Sequence, residues 1–418
     1  MIKAVLLDLD DTLIATNTSN FFALYLRELG QYVVQRIPQL APPEQFIQQL
    51  MNSYGRIAAQ YDPTRTLYER LMEDFSGVVG MEQDTLAPVF DDFYAQCYPP
   101  LMRLIRPRPE TTALLTCLVD HGYRLALATN PGLPRTAIVQ RLAAGGITIS
   151  RFPFELVTCL ETMHFGKPHI TYYAEILARL DLHPCEAIMV GDDWENDIVG
   201  AVAVGLHTFW ITEDGSPPPH DSPLPSGSGS YAQFIQMVQC GWLDAIEPLP
   251  CETAGLIARL AASPAAIDAL CRPYEPQILE CKPQEERGWS VRDVVCHLRN
   301  HEQQDRQRLN RVLKEDNPFL SAIRAHDPGA DCITLSFRDA LAAFAHERAQ
   351  TLAWLEDVPT AAWKRPARDA IFGPTTFEEV VRFMLAHDRT HLHQIRDTLA
   401  QALALCGDRP EAHRTALI

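Results

Sequence analysis

Three carboxylates and a hydroxyl group follow an apolar run close to the start of the chain. In KAVLLDLDDTLI (residues 3–14) these polar residues are Asp8, Asp10, Asp11 and Thr12. An apolar run this short is typical of a buried strand, and carboxylates crowded at its end repel one another unless a cation joins them. Because Mg²⁺ prefers hard oxygen ligands and is usually held by a few carboxylates plus substrate phosphate, these carboxylates are candidate magnesium ligands.

Polar residues also end two further apolar runs, RLALATN (124–130) and AIMVGDDWEND (187–197). The residues concerned are Thr129, Asn130, Asp192, Asp193 and Asp197. In an open parallel sheet, ligands bind beyond the carboxyl ends of the strands. We therefore expect these strand ends to meet the first three carboxylates at one edge of a sheet.

The elements that would position these residues alternate between strand and helix patterns. Nearly continuous apolar runs at 2–9, 124–130, 187–193 and 207–213 are typical of parallel strands that are covered on both faces. Between the first two strands, at about 15–105, helical periodicity predicts a helical insertion. The first half of the chain is thus predicted to be an α/β parallel sheet with a helical insertion.

The pattern changes after TEDGSPPPHDSPLPSGSGS (212–230), whose Pro, Gly and Ser content predicts an exposed linker segment. Residues 250–405 carry four long amphipathic patterns and no convincing strand, which predicts an all-α four-helix bundle. Two pairs, Ser290 with Asp293 and Thr376 with Glu379, have capping-box spacing. The predicted units are domains at 1–246 and 250–405, each with its own core, and a tail at 406–418; the piece 231–246 is expected to pack on the sheet.

The composition excludes several classes of function. A formal net charge of −17 argues against sequence-independent binding to nucleic acid or to an anionic membrane. Eleven cysteines without a CxxC pair indicate reduced thiols rather than a disulfide framework or a zinc ribbon. The first strand begins at Ile2, and no apolar run approaches the ~20 residues of a membrane helix. We therefore expect a cytoplasmic protein.

Across residues 1–245 the chain resembles the haloacid dehalogenase-like (HAD) hydrolases. Their DxDxT motif matches the segment that begins at Asp8, and their hydroxyl residue after a strand matches Thr129. Their lysine matches Lys167 in HFGKPHITYY, and their acidic loop matches GDDWEND (191–197), in the expected order. The resemblance implies a Rossmann-like sheet, and it makes the helical insertion a C1 cap.

The resemblance also implies a phosphatase mechanism. Asp8 would attack phosphorus to form a phospho-aspartate, while Asp10 would protonate the leaving oxygen and then activate water. Because the dehalogenases of this family lack the second aspartate, a carbon–chlorine substrate is not expected. Thr129, Asn130 and Lys167 would bind the phosphoryl oxygens. A phosphotransferase such as a sugar-phosphate mutase shares both aspartates and is the alternative.

The resemblance places Mg²⁺ between Asp8, the backbone carbonyl of Asp10, and Asp192. Asp193 and Asp197 would support this site, and whether Asp192 or Asp193 is the direct ligand stays open. The expected substrate is a small phosphorylated metabolite, selected by the cap at 15–105.

A second group of residues lies in the predicted bundle. His387 and His391 are four residues apart in AHDRTHLHQI and so share one helix face, and His297 lies in WSVRDVVCHL. Three neutral imidazoles that converge can bind Zn²⁺, Ni²⁺ or Fe²⁺. His301 and His393 are rival ligands that read as more exposed, and Asp388 and Gln394 are candidate supporting groups.

Trp289-Ser290 before the helix of His297, and FGPTT (372–376) before the last helix, resemble the DinB/YfiT-like metalloenzyme superfamily over about 250–405. The resemblance implies a divalent metal held by one histidine of the second helix and two of the last, which are His297, His387 and His391. Some relatives transfer low-molecular-weight thiols, so such a thiol is a candidate partner. Alternatively, the bundle serves only as a binding module or as a dimerisation module, and in the second case the protein would be a homodimer.

Overall fold

The computed structural model describes residues 1–212, 215–219, 223–250, 252–283, 288–323 and 332–406. The elements up to residue 250 are, in chain order, β1 (Ala4–Leu7), β2 (Ile14–Ala15), α1 (Thr18–Arg36), α2 (Pro43–Ala58), α3 (Leu67–Val79), α4 (Gln83–Gln96), β3 (Arg106–Pro107), α5 (Pro109–Asp120), β4 (Arg124–Leu127), α6 (Arg135–Ala144), β5 (Phe154–Val157), α7 (Ile170–Leu180), β6 (Ala187–Gly191), α8 (Gly200–Val204), β7 (His207–Ile211), β8 (Gly227–Gly229), α9 (Tyr231–Gln239) and α10 (Trp242–Ala245). The later elements are α11 (Thr253–Cys271), α12 (Pro276–Glu280), α13 (Val291–Lys314), β9 (Phe319–Leu320), α14 (Phe337–Glu356), β10 (Pro366–Asp369), β11 (Gly373–Thr376) and α15 (Phe377–Cys406).

A six-stranded parallel sheet in the order β5-β4-β1-β6-β7-β8 forms the centre of the first half. The four predicted strands correspond to β1, β4, β6 and β7, so the α/β class is confirmed. Every residue of β1 and β6 is buried, because helices cover both faces of the sheet. The two edge strands were not predicted: β5 carries the exposed Glu155, and β8 consists of Gly-Ser-Gly without apolar side chains.

The strand β8 lies inside the predicted linker 212–230. The backbone N–H of Thr212 donates to the carbonyl of Gly229 at 2.9 Å, and β8 pairs with β7. A Cβ at Gly227 would lie 2.9 Å from the Phe209 ring, so this glycine permits close packing. The segment therefore connects two strands of one sheet rather than two domains, which corrects the prediction; its residues 213, 214 and 220–222 lie outside the described part. Helices α9 and α10 pack on the sheet through Tyr231, Phe234 and Leu243, as predicted for 231–246.

The helical insertion consists of α1–α4 and forms a cap beside the sheet. An antiparallel ribbon of β2 and β3 pairs the two chain segments that lead into and out of the cap. Aromatic side chains fill the cap interior, and the hydroxyl groups of Tyr25 and Tyr94 lie 2.7 Å apart. These four helices lie within residues 15–105, the range of the predicted insertion.

The four long helices of the second half are α11, α13, α14 and α15, which correspond to the four predicted patterns. Ser290 and Asp293 form the predicted capping box, and the backbone N–H of Glu379 donates to Thr376 at 3.3 Å. A three-stranded sheet of β11, β10 and β9 corrects the prediction of no strand. Its strands have only two to four residues and include Pro and Gly, so they carry no periodic signal. The predicted tail 406–418 lies outside the described residues, except that Cys406 ends α15.

A disulfide joins Cys296 of α13 to Cys332. The prediction that the cysteines are reduced thiols is wrong for this pair, whereas the seven other cysteines that the structure describes are free. The two partners are 36 residues apart and belong to separate elements. Sequence spacing gave no signal for their contact, because it arises only when the helices pack.

Helix α11 packs against α7 and α8 of the first half. Its Ala258, Ala262 and Ala265 belong to the same hydrophobic cluster as Tyr173 and Leu177, so the two halves share a core at this face. This contrasts with the expected separate cores. By length and composition α11 alone among the described helices is apolar enough to cross a membrane, and 72% of its apolar window is buried inside the protein.

Candidate active site and candidate metal centre

Carboxylates from two strand ends and one turn meet at the carboxyl edge of the sheet. Asp8 follows β1, Asp192 follows β6, and Asp197 lies in a π-helical turn over Trp194–Val199. Each offers a carboxylate oxygen, and these oxygens lie within 4.8 Å of one another. A Cβ at Gly191 would collide with Asp197, so the glycine allows this approach. We call this group the oxygen site.

Lys167 neutralises part of this negative charge. Its Nζ donates to Asp8 Oδ1 at 2.8 Å and to Asp197 Oδ1 at 2.5 Å, and all three side chains are buried. Burial alone would lower the pKa of Lys167, but the charges of Asp197 and Asp8 outweigh burial and raise it well above its ordinary value. The lysine is therefore charged at neutral pH and is aimed at the carboxylate predicted to be the nucleophile.

Asp192 and Asp193 have different partners, although they are adjacent. Asp192 Oδ1 accepts a hydrogen bond from the Thr12 hydroxyl at 3.0 Å and faces the oxygen site. The Asp193 carboxylate instead accepts from the backbone N–H of Asn196 at 3.0 Å and from its side-chain amide at 2.8 Å. Burial and the charge of Asp8 raise the pKa of Asp192 to about 7. Asp193 caps the turn, and Asp192 is the member of the pair that lies among the three carboxylates.

Asp10 lines the same cavity as these three carboxylates and is paired with an arginine. It accepts a hydrogen bond from Nη2 of Arg141, a buried arginine of α6 that also lies 4.8 Å from the Phe21 ring of the cap. Sequence reasoning missed Arg141, because an arginine inside RTAIVQRLAA reads as an ordinary solvated helix residue.

Thr129 and Asn130 follow β4 and face the same cavity. The Thr129 carbonyl accepts hydrogen bonds from Thr158 at 2.6 Å and from the Tyr172 hydroxyl at 2.8 Å, which fix this strand end. The cavity has a volume of about 800 Å³ and lies between the sheet edge and the cap. The structure thus brings together all the residues predicted for the first site, with Asp193 turned to a capping role.

Three histidines meet in the bundle, and we call them the nitrogen site. His297 comes from α13, and His387 and His391 come from α15. His387 Nε2 lies 3.2 Å from His297 Nε2 and 3.0 Å from His391 Nε2. Burial and the neighbouring imidazoles lower the pKa of His387 to about 2. An open cavity of about 690 Å³, also lined by Trp289 and Asp397, reaches these rings.

The rival histidines have other partners. His301 stacks on His387 with ring centroids 4.0 Å apart, and its Nδ1 pairs with Asp305 at 2.8 Å, but the group of mutually close ligand atoms consists of the other three histidines. His393 Nε2 pairs with Asp181 of the first half at 2.8 Å. Of the two candidate supporting groups, Gln394 Oε1 lies 2.7 Å from His391 Nδ1, whereas Asp388 accepts from the buried Arg348. Gln394 therefore orients a histidine, and Asp388 does not contact the nitrogen site through these bonds.

A buried ion cluster that sequence reasoning missed joins the two halves. His164 Nδ1 lies 2.8 Å from Glu175, and its Nε2 lies 2.9 Å from Asp268 of α11. Burial alone would lower the pKa of His164, but the two carboxylates outweigh burial and raise it to about 9. Arg272, which directly follows α11, also donates to Glu69 of the cap at 2.5 Å. These pairs join segments far apart in sequence, so no local pattern predicts them.

Comparisons with known proteins find a matching family for each half of the chain. Residues 2–205 match the model of the haloacid dehalogenase-like hydrolases, and residues 259–395 match that of the DinB superfamily. A glyceraldehyde 3-phosphate phosphatase from Methanothermobacter thermautotrophicus is 28% identical over 51% of this chain and 87% of that protein. A ribulose-1,5-bisphosphate 5-phosphatase from Halopiger xanaduensis is 38% identical over 28% of this chain and 46% of that protein.

Two solved structures resemble the separate halves. An HAD phosphatase from Thermococcus onnurineus aligns with a TM-score of 0.37 and 19% identity over 57% of this chain and 98% of that chain. YfiT from Bacillus subtilis, described as a probable metal-dependent hydrolase with an unusual four-helix bundle topology, aligns with a TM-score of 0.31 and 20% identity over 39% of this chain and 94% of that chain.

Proposed function

We propose that this chain, a phosphatase of the haloacid dehalogenase-like hydrolases joined to a DinB superfamily bundle, hydrolyses small phosphate monoesters through a phospho-aspartate at Asp8. One observation carries the proposal. Asp8 is hydrogen-bonded to Lys167, stands two residues before Asp10, and opens into a cavity of about 800 Å³. The proposed nucleophile, the lysine cation and the proposed acid/base group therefore line the same cavity.

The first half-reaction transfers the phosphoryl group to Asp8. A carboxylate oxygen of Asp8 forms a bond to phosphorus, the bond from phosphorus to the ester oxygen breaks, and Asp10 gives a proton to that oxygen. Lys167 stabilises the negative charge on the transferring group. In the second half-reaction, water attacks the same phosphorus, Asp10 takes its proton, and phosphate leaves Asp8.

The oxygen site fits the magnesium ion that the family implies. Three carboxylates lie within 4.8 Å of one another, and hydrogen bonds from Lys167 reach two of them, Asp8 and Asp197. We assign the ion to Asp8, Asp192 and the carbonyl of Asp10, with Asp197 in support and Asp193 capping the turn. The chemistry that Mg²⁺ supplies when bound is charge neutralisation and orientation of the phosphoryl group.

The test compares variants at the adjacent positions 192 and 193, in protein from which a chelator has removed the metal ions. Phosphate release from p-nitrophenyl phosphate should be lost on stripping and restored by Mg²⁺. Asp192→Asn should need at least about tenfold more Mg²⁺ for half-maximal rate, since it loses a charged ligand. Asp193→Asn is the matched control and should stay within about threefold of wild type. Equal requirements for Mg²⁺ in the two variants would contradict the assignment, and full activity after stripping would exclude a metal role.

A phosphotransferase uses the same aspartates but passes the phosphoryl group to a second hydroxyl group. Relatives named as phosphatases favour water as the acceptor. Hydrolysis run with added sugar alcohols should release one phosphate per ester cleaved. Fewer phosphates than cleaved esters would instead indicate a transferase.

For the bundle, we propose that His297, His387 and His391 bind a divalent transition metal. The support is their imidazole donor set, because nitrogen ligands favour Zn²⁺, Ni²⁺ or Fe²⁺ over Mg²⁺. The open cavity beside them has room for a small ligand such as a low-molecular-weight thiol. Thiol transfer, a homodimer formed through the bundle and a cytoplasmic location remain predictions.

A further inference from the structure

The cap lines the part of the cavity that would hold the organic group of a phosphate ester. Its residues 15–105 are all described, and their contribution to the cavity is mainly apolar, including Phe22, Leu26, Leu29, Leu50, Leu71 and Met72. The cap also contributes hydroxyl groups to the lining, from Thr18, Ser19, Tyr54 and Tyr68, whereas the hydroxyl groups of Tyr25 and Tyr94 lie 2.7 Å from each other. A substrate whose organic part carries many hydroxyl groups would lose hydrogen bonds to water where it lies against the apolar side chains of the cap.

The charges that line the cavity argue against a second anionic group on the substrate. Among the described residues the lining contains two cations, Lys167 and Arg141, and both come from the sheet domain. Lys167 is paired with Asp8 and Asp197, and Arg141 is paired with Asp10. The cap instead contributes the acid Asp91. A second phosphate or a carboxylate would therefore lack a free cation and would face negative charge.

The size of the cavity also favours a larger organic group. Pockets for drug-sized ligands span roughly 300–1,000 Å³, and this cavity of about 800 Å³ lies in the upper part of that range. A two- or three-carbon ester would leave much of the apolar surface uncovered.

We propose that the substrate is the monophosphate ester of an apolar alcohol, with an alkyl or aryl group of six or more carbon atoms and no second anionic group. This inference rests on the proposed phosphatase activity and adds the substrate class. The phosphate would lie against the residues of the oxygen site, while the organic group would lie along the cap surface formed by α1–α4.

A chain-length series tests the inference. Ethyl, butyl and hexyl phosphate have leaving groups of nearly equal basicity, so differences in kcat/KM report burial of the chain. We expect kcat/KM to rise by about fourfold for each added methylene group, the value for a buried CH₂. Glycerol 3-phosphate and ribulose 1,5-bisphosphate should fall below butyl phosphate.

Two variants on one helix locate the effect. Leu26→Gln places a polar group in the cavity lining and should reduce the hexyl-to-ethyl ratio about tenfold or more. Leu24→Gln is the matched control, since Leu24 lies on α1 outside the lining, and it should keep the wild-type ratio. The wild-type series decides the inference even where a variant folds poorly.

Two outcomes would overturn the inference and are distinguishable. A flat or falling series, with phosphate release that still depends on Asp8, would overturn the substrate class and leave the phosphatase proposal intact. If no ester, including p-nitrophenyl phosphate, gave Asp8-dependent release, the proposed function would fail and this inference with it.

Discussion

The oxygen site and the nitrogen site differ in donors, in charge and in enclosure. At the oxygen site, carboxylates face a buried lysine under a cap, and the predicted acid/base residue Asp10 is two positions from the predicted nucleophile. At the nitrogen site, three imidazoles face an open cavity, and the nearby acids Asp305 and Asp388 are paired with His301 and Arg348. The first site has the residues of the proposed covalent mechanism, whereas the second has residues that could bind a metal ion. The chain thus brings together two candidate cation sites, one with oxygen donors and one with nitrogen donors.

The largest expected effect is loss of the carboxylate nucleophile. Asp8→Asn has nearly the same shape but cannot form the phospho-enzyme, so kcat for p-nitrophenyl phosphate should fall by about a thousandfold or more. The metal content of the nitrogen site should not change. Both quantities can be measured on one preparation, by phosphate assay and by elemental analysis. A kcat above a few per cent of wild type would show that chemistry does not pass through Asp8.

The converse experiment removes two ligands of the nitrogen site. His387→Ala with His391→Ala should reduce bound transition metal from about one ion per chain to none, because one imidazole alone is a weak ligand set. The phosphatase rate should stay within about twofold, since the two sites are separate. His346→Ala, an exposed histidine of α14, is the control and should keep the metal. If the wild-type protein bound neither Zn²⁺ nor Ni²⁺, the three histidines would be ordinary core residues.

The smallest effect concerns the ion cluster that joins the two halves. The folded state raises the pKa of His164 from 6.5 to about 9, so its stabilisation is complete below pH 6.5 and is lost as the pH rises through about 9. The change amounts to at most about 3 kcal/mol. Urea midpoints at pH 6.5 and at pH 9.5 should therefore differ more in wild type than in His164→Gln.

The other groups at this cluster provide a check on that prediction. Asp268 is also paired with Arg272 and Arg338, and Glu175 lies near Arg179, and these partners stay charged over the same range. They contribute equally to both proteins, so the difference between wild type and variant isolates His164. An identical pH dependence in the two proteins would mean that the imidazole is neutral between its carboxylates.

The sequence predicted that Asp8 and Asp192 lie at the same edge of the sheet, because each residue follows a predicted strand. Strand-end position follows from local apolar patterns, and parallel strands bring their carboxyl ends to one edge. Helix periodicity likewise placed His387 and His391 on one face of α15. Contacts that depend on tertiary packing could not be predicted from local patterns. Arg141 on Asp10 and the His164 cluster are contacts between elements distant in sequence.

The corrections have the same physical origin. The strand β8 lacks apolar side chains, so its Gly-Ser-Gly segment read as part of a linker, although it pairs with β7. Helix α11 was assigned to the bundle, yet its alanines also fill a cluster of the first half. The disulfide joins Cys296 of α13 to Cys332, 36 residues away, so no local pattern marks the pair.

The most direct measurement of the covalent mechanism uses Asp10→Asn with p-nitrophenyl phosphate. Because p-nitrophenolate leaves without a proton, the variant should still be phosphorylated, but water is no longer activated and the phospho-enzyme should accumulate. Mass spectrometry of rapidly quenched protein should find the phosphoryl group on Asp8, and the Asp8→Asn, Asp10→Asn double variant should carry none. A phosphoryl group on another residue would contradict the mechanism. Turnover by Asp10→Asn at the wild-type rate, without phosphorylated Asp8, would contradict it as well.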